Sequence, residues 1–165
     1  EPLSGDYRIC YDATVVIGEG PHDRLADLNC FWAASDPEHP DDFFARSAWR
    51  GGTFAAYNSL DLLYVGYGGN DNTTTRFRKY HGKRFGAPAD EVKPLLGEYT
   101  DAEHLLRPNR PLHIEITVAD KKTTFSADGE VLFSRELAPG EGDGYFGLRL
   151  LANHTLIANF TVERL

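Results

Sequence analysis

The chain has 165 residues, 41% of them hydrophobic, with 16 Gly, 9 Pro and no Met. That length builds a full core without metal or several disulfides. With 25 Asp and Glu against 17 Lys and Arg, the formal net charge is −8. This excludes the broad basic face that a nucleic-acid binder turns to phosphates. No run of 18 apolar residues occurs, so no membrane-spanning helix is expected.

Runs rich in β-branched and aromatic residues predict strands at 7–17, 26–34, 43–46, 53–57, 62–67 and 73–80. They continue at 111–118, 122–127, 130–135, 144–151 and 155–164. Many short strands separated by turn signals predict an all-β sandwich, one domain over 1–165 with at most one or two short helices. Cys10 and Cys30 fall in the first two runs, either as a disulfide or as two small buried residues. The Pro-punctuated segment SDPEHPDD at 35–42 reads as an acidic loop, and TDAEHLL at 100–106, with Thr100 or Asp101 as cap and Pro108 as stop, as a short helix. Asp128-Gly129 is a two-residue hairpin turn that pairs 122–127 with 130–135. The polar start at Glu1 is what a processed secreted or trimmed chain shows, and the expected location is secreted or periplasmic. Sequons at Asn72, Asn153 and Asn159 carry no weight for function.

The C-terminal succession HIEITV, KKTTFSADGEVLFS, GDGYFGLRL and IANFTVERL is similar to the end of concanavalin-like (laminin-G or lectin-type) jelly rolls. The upstream stretches DATVVIGEGPHDRLADLNCFWAASDP, FFARSAWRGGTFAAYN and LYVGYGGNDNTTTRFRKY, taken with LLANHTLIANFTVERL, narrow the likeness. Together they resemble a YesU-related concanavalin-like family associated with degradation of pectin and rhamnogalacturonan. The resemblance spans nearly the whole chain. It implies a two-sheet antiparallel jelly roll and a carbohydrate context, whereas fold alone does not assign chemistry.

In RFRKYHGKR, residues 76–84, five of nine positions are Lys or Arg. Successive strand side chains point to opposite faces. With Thr75 and Phe77 in the core, Asn72, Thr74, Arg76, Arg78 and Tyr80 share the outward face, which in a jelly roll is the concave one. Arg76 and Arg78 then stand roughly 7 Å apart, and an arginine fork matches a carboxylate. The bland reading is that these cations protect an edge strand from aggregation. The loop from Tyr67 to Asn72 either presents amides to sugar hydroxyls and carbonyls to Ca²⁺, or is simply a hairpin turn. Strand 26–34 puts Leu28, Cys30 and Trp32 inward and Asn29 outward. Arg46 and Trp49-Arg50 offer a cation and a stacking surface near a loop.

Histidines at 22, 39, 81, 104, 113 and 154 form no zinc-ligand pattern, and no G-x-S-x-G or Ser/His/Asp set is visible. His154, beside Asn153 and between the last two strands, is a candidate base. These residues predict a polysaccharide lyase that cuts a uronic-acid glycan by β-elimination. Arg76, Tyr80 and His154 would be catalytic, and Asn29, Arg46, Tyr67, Asn72, Arg78 and Asn153 would bind substrate. The alternative is a non-catalytic lectin-like module for acidic plant glycans. Paired-carboxylate hydrolysis is less supported, Glu115 and Asp120 notwithstanding. The expected partner is an acidic poly- or oligosaccharide bound by a monomer, with no cofactor required and Ca²⁺ an optional ion.

Overall fold

The computed structural model describes residues 1–165. Its ten strands are β1 (Tyr7–Val15), β2 (Leu28–Ser35), β3 (Asp61–Gly68), β4 (Thr74–Tyr80), β5 (Leu95–Tyr99), β6 (Leu112–Ala119), β7 (Lys122–Ala127), β8 (Glu130–Glu136), β9 (Tyr145–Arg149) and β10 (Thr155–Arg164). They form two antiparallel sheets of five, ordered β10-β1-β6-β7-β8 and β5-β4-β3-β2-β9.

Alternation explains the core. Tyr7, Ile9, Tyr11, Ala13 and Val15 of β1 face Leu28, Cys30 and Trp32 of β2, with Val65, Phe77, Ile116 and Phe125 filling the space between the sheets. The Trp32 ring stacks on Phe77 at 5.8 Å and on Phe125 at 6.3 Å, while its indole N–H donates to Thr123 Oγ1 across the sandwich. The Asp128-Gly129 turn has positive φ at both residues (49° and 84°), the backbone a tight hairpin requires, and it registers Ala127 against Glu130. Cys30 is buried in the core and Cys10 points to the other side of its sheet. Both are free thiols, so the disulfide option is excluded.

Three elements differ from the sequence reading. The runs 43–46 and 53–57 are not strands: they belong to a strap, residues 36–60, that carries a helical turn at Ser47–Arg50 and a 3-10 turn at Phe54–Ser59. Buried Asp36 folds this strap by accepting hydrogen bonds from Arg46 (2.6 and 2.9 Å) and Arg50 (3.1 Å). The predicted helix at 100–106 shrinks to one 3-10 turn, Ala102–His104, capped by Asp101 accepting from the Glu103 amide. Finally, β5 is a strand for which the sequence analysis has no counterpart, because its apolar Leu95-Leu96 pair does not alternate.

Candidate functional site

The outer face of the β9-β2-β3-β4-β5 sheet carries a basin whose floor follows from register. Glu98, Arg76, Gly66, Asn29 and Arg149 lie in one row across all five strands. The next row on the same face holds Arg78, Tyr64, Phe31 and Gly147. Tyr80 and Leu62 follow in a third. Over this third row lies the strap, packing Phe43, Tyr57 and Leu60 against Phe31, Leu62 and Tyr80. The strap walls one end of the sheet, and the β3–β4 turn with Asn70 bounds the other. Between them lies a cavity of about 290 Å³. Gly66 keeps its floor low: a Cβ there would stand 3.1 Å from the Tyr64 ring and 3.3 Å from Asn29 Oδ1.

Four cations line this cavity: Arg76, Arg78, Lys93 and Arg149. Arg76 pairs with Glu98 on the neighbouring strand. The other three have no carboxylate within ion-pair range. Arg78 Nη1 donates to the Lys93 carbonyl at 2.8 Å. Lys93 Nζ and Arg149 Cζ each sit 4.4 Å from the centroid of Phe54, and Lys93 also lies 5.7 Å from the Tyr80 ring. Burial, then repulsion from Arg78 and Arg149, lowers the Lys93 pKa below the ordinary lysine value. Burial pushes the Tyr80 phenol up to about 12, although Arg78 and Arg149 pull it back.

Three buried polar atoms of this region lack any hydrogen-bond partner: Asn29 Oδ1, the Tyr80 hydroxyl and Arg149 Nε. Buried polar atoms are normally satisfied, so unpaired ones call for an explanation. Asn29 is 2% exposed and Tyr80 1%. The edge-protection reading of the cations does not apply, because β4 is an interior strand flanked by β3 and β5.

A family model described as "Domain of unknown function (DUF6250)" matches residues 1–160. The chain belongs to the DUF6250 family. A search of curated proteins finds no match for it. Among solved structures, this DUF6250 chain is similar to a protein of unknown function with galectin-like fold from Bacillus subtilis (TM-score 0.70, 16% identity, covering 99% of this chain and 74% of that one). It is also similar to the carbohydrate binding module CBM66 from Bacillus subtilis (0.57, 13%, 97% and 76%) and to sheep galectin-11 in complex with glycerol (0.55, 7%, 98% and 92%). At these identities the likeness is one of fold, a concanavalin-like jelly-roll sandwich.

Of the residues singled out in the sequence, Asn29, Arg76, Arg78 and Tyr80 meet in the basin of this DUF6250 chain. The other five lie outside it. Arg46 is held by Asp36 and Glu38 within the strap and covers Trp49 at 5.4 Å. Tyr67 faces the core, and a different, smaller cavity at the sandwich end. Asn72 does not join the outward row: in a left-handed turn (φ 59°) it clamps Leu106, donating to its carbonyl at 3.0 Å and accepting from its amide at 2.9 Å. Asn153 donates to the carbonyls of Ala26 and Asp27 at 2.6 and 3.3 Å. His154 is half exposed, 3.4 Å from Asp23. Of the remaining cations of 76–84, Lys79 points inward to Asp61 and Glu141, and Lys83 and Arg84 lie in a turn.

Sequence reasoning missed Lys93, Arg149 and Phe54. Arg149 had a signal in the parity of GYFGLRL, which sets it on the same side as Tyr145 and Gly147. Lys93 had none, since it precedes an unrecognised strand. No three or more His, Cys, Asp or Glu side chains converge as metal ligands. In the acidic loop, Asp36 is committed to Arg46 and Arg50.

Proposed function

We propose that the protein binds an acidic glycan in the basin of its β9-β2-β3-β4-β5 sheet. The observation that carries this reading is the cluster Arg78, Lys93 and Arg149, three cations without carboxylate partners beside the unpartnered polar atoms of Asn29 and Tyr80. Maintaining such a cluster opposes stability, and a ligand carboxylate offsets that opposition by charge-assisted hydrogen bonds. Hydroxyl groups of the sugar match the amide of Asn29 and the phenol of Tyr80. The names of the fold neighbours, a carbohydrate binding module and a galectin, support a sugar ligand over other organic acids. Pectin and rhamnogalacturonan carry the required uronates. A protein that meets such polymers works as a secreted or periplasmic monomer.

A second reading, cleavage by β-elimination, is favoured by the position of Lys93 beside Tyr80. Arg78 and Arg149 would neutralise the uronate carboxylate and so acidify its neighbouring C–H, with well-aimed donors worth roughly 3–4 kcal/mol each in comparable sites. Lys93, with its lowered pKa, would then take the proton. The electron pair of the broken C–H bond would form the new double bond as the C–O bond breaks, and the leaving oxygen would receive the Tyr80 proton. In this reading Lys93 replaces His154, which lies outside the basin. The test incubates the protein with pectic, rhamnogalacturonan and glucuronan substrates and follows the absorbance of unsaturated uronate, alongside calorimetric titration. Binding with new absorbance supports both readings. Binding without absorbance leaves a non-catalytic glycan-binding module, and no binding at all overturns the acidic-glycan reading.

A further inference from the structure

The basin is electrically divided along its strands. In the half bounded by the β3–β4 turn every charge has an opposite partner: Arg76 pairs with Glu98, and Arg24 joins Asp27 and Asp71 at 2.6 Å each. What this half adds is neutral, the side chains of Asn29, Asn70 and Thr74. The half under the strap has the reverse character: Arg78 and Lys93 lie there with Tyr80 and Phe54, and Arg149, whose backbone stands in the Arg76 row, carries its guanidinium to within 4.4 Å of the Phe54 centroid, with no acid among them.

Resting on the acidic-glycan reading, we infer that the basin takes a uronate in the strap half and a neutral sugar beside it in the turn half. The ligand is then a mixed glycan in which the two sugars are neighbours, and not a homopolymer of uronates. Three features carry this. The rows of Arg76 and Arg78 are two residues apart on β4, about 7 Å, so the halves accommodate adjacent groups of one chain. Asn29 directs its Nδ2 to Asp27 on the turn side at 3.5 Å, while its buried Oδ1 stands without a donor over Gly66 beside the Tyr64 ring, where the halves meet; an unpartnered acceptor there selects a hydroxyl and repels a carboxylate. A second carboxylate in the turn half would also lie near Asp27 and Glu98, whose cations are already engaged, and like-charge juxtaposition discriminates against it.

The test titrates the wild-type protein and Glu98→Gln with oligosaccharides of equal length, one alternating uronate and neutral sugar, one made only of uronates. The wild type is expected to bind the alternating oligosaccharide at least about tenfold more tightly, a difference near 1.4 kcal/mol. Glu98→Gln, which frees Arg76, is expected to narrow that ratio by strengthening the all-uronate ligand. All-uronate binding to the wild type that equals or exceeds the alternating ligand overturns the division while leaving the acidic-glycan reading in place. Failure of both ligands to bind overturns the two together.

Discussion

On the outer face of the β10-β1-β6-β7-β8 sheet, charges are matched across neighbouring strands: Arg8 lies 3.6 Å from Glu115, and Asp12 holds His113 and Asn159 at 2.6 Å each. On the outer face of the other sheet, Arg78, Lys93 and Arg149 converge without an acid, and the polar atoms of Asn29, Tyr80 and Arg149 are buried without partners. Both faces belong to one acidic chain with similar strands. The difference shows that the cation cluster is not a general way of keeping this sandwich soluble. Arg8 Nε on the first face is also buried without a hydrogen-bond partner, so what separates the two faces is charge balance: the first carries its counter-charges within the chain, and the second is the one proposed to take an anion from outside.

The largest effect that would break this comparison comes from the double variant Arg78→Ala with Arg149→Ala. Charge-assisted hydrogen bonds contribute about 1.5–3 kcal/mol each, so affinity for a uronate oligosaccharide should fall by 100-fold or more in calorimetry. Thermal stability should hold or rise, since like-charge repulsion is relieved. A fall in stability with unchanged affinity would make the cluster structural.

Gly66→Val is the next sharpest cut. Its side chain would meet Tyr64 and Asn29 on the basin floor, and affinity should drop about tenfold through occluded volume and overpacking.

Lys93 provides a pH test. Its folded pKa lies below the ordinary 10.5, so between these two values the folded protein holds fewer protons than the unfolded chain. Stability therefore rises with pH across that window, while affinity for an anion declines. Lys93→Met should flatten both trends, as denaturant unfolding and titration at pH 8 and pH 10.5 would show. The smallest effect is expected on the matched face. Arg8→Ala there should change stability by about 1 kcal/mol or less and leave glycan affinity untouched.

Much of the fold was legible because alternation and the Asp128-Gly129 turn are local signals. The parity of β1, β2 and β4 correctly separated the core side chains from Asn29, Arg76, Arg78 and Tyr80. The strap was misread because FFAR and TFAAY have strand composition, yet their conformation is dictated by Asp36 gathering Arg46 and Arg50, contacts 10 and 14 residues apart. Lys93 and Arg149 illustrate the limit on the site. They approach each other over Phe54 only after β4, β2 and the strap have assembled. Parity assigns a face along one strand, but convergence between strands depends on sheet order. His154 and Asn153 show the converse: adjacency to promising motifs placed them near the last strand, and the fold used Asn153 to hold the Ala26–Asp27 backbone.

The central claim is that the unmatched cations recognise negative charge on a sugar chain. The most direct measurement titrates the protein with a uronate oligosaccharide and with the same oligosaccharide after its carboxyls have been reduced to alcohols, at low and high salt. Saturable binding of the acidic form, weakened by salt and lost on reduction, is the predicted result. Equal binding of the two forms, or binding of neither, would contradict it.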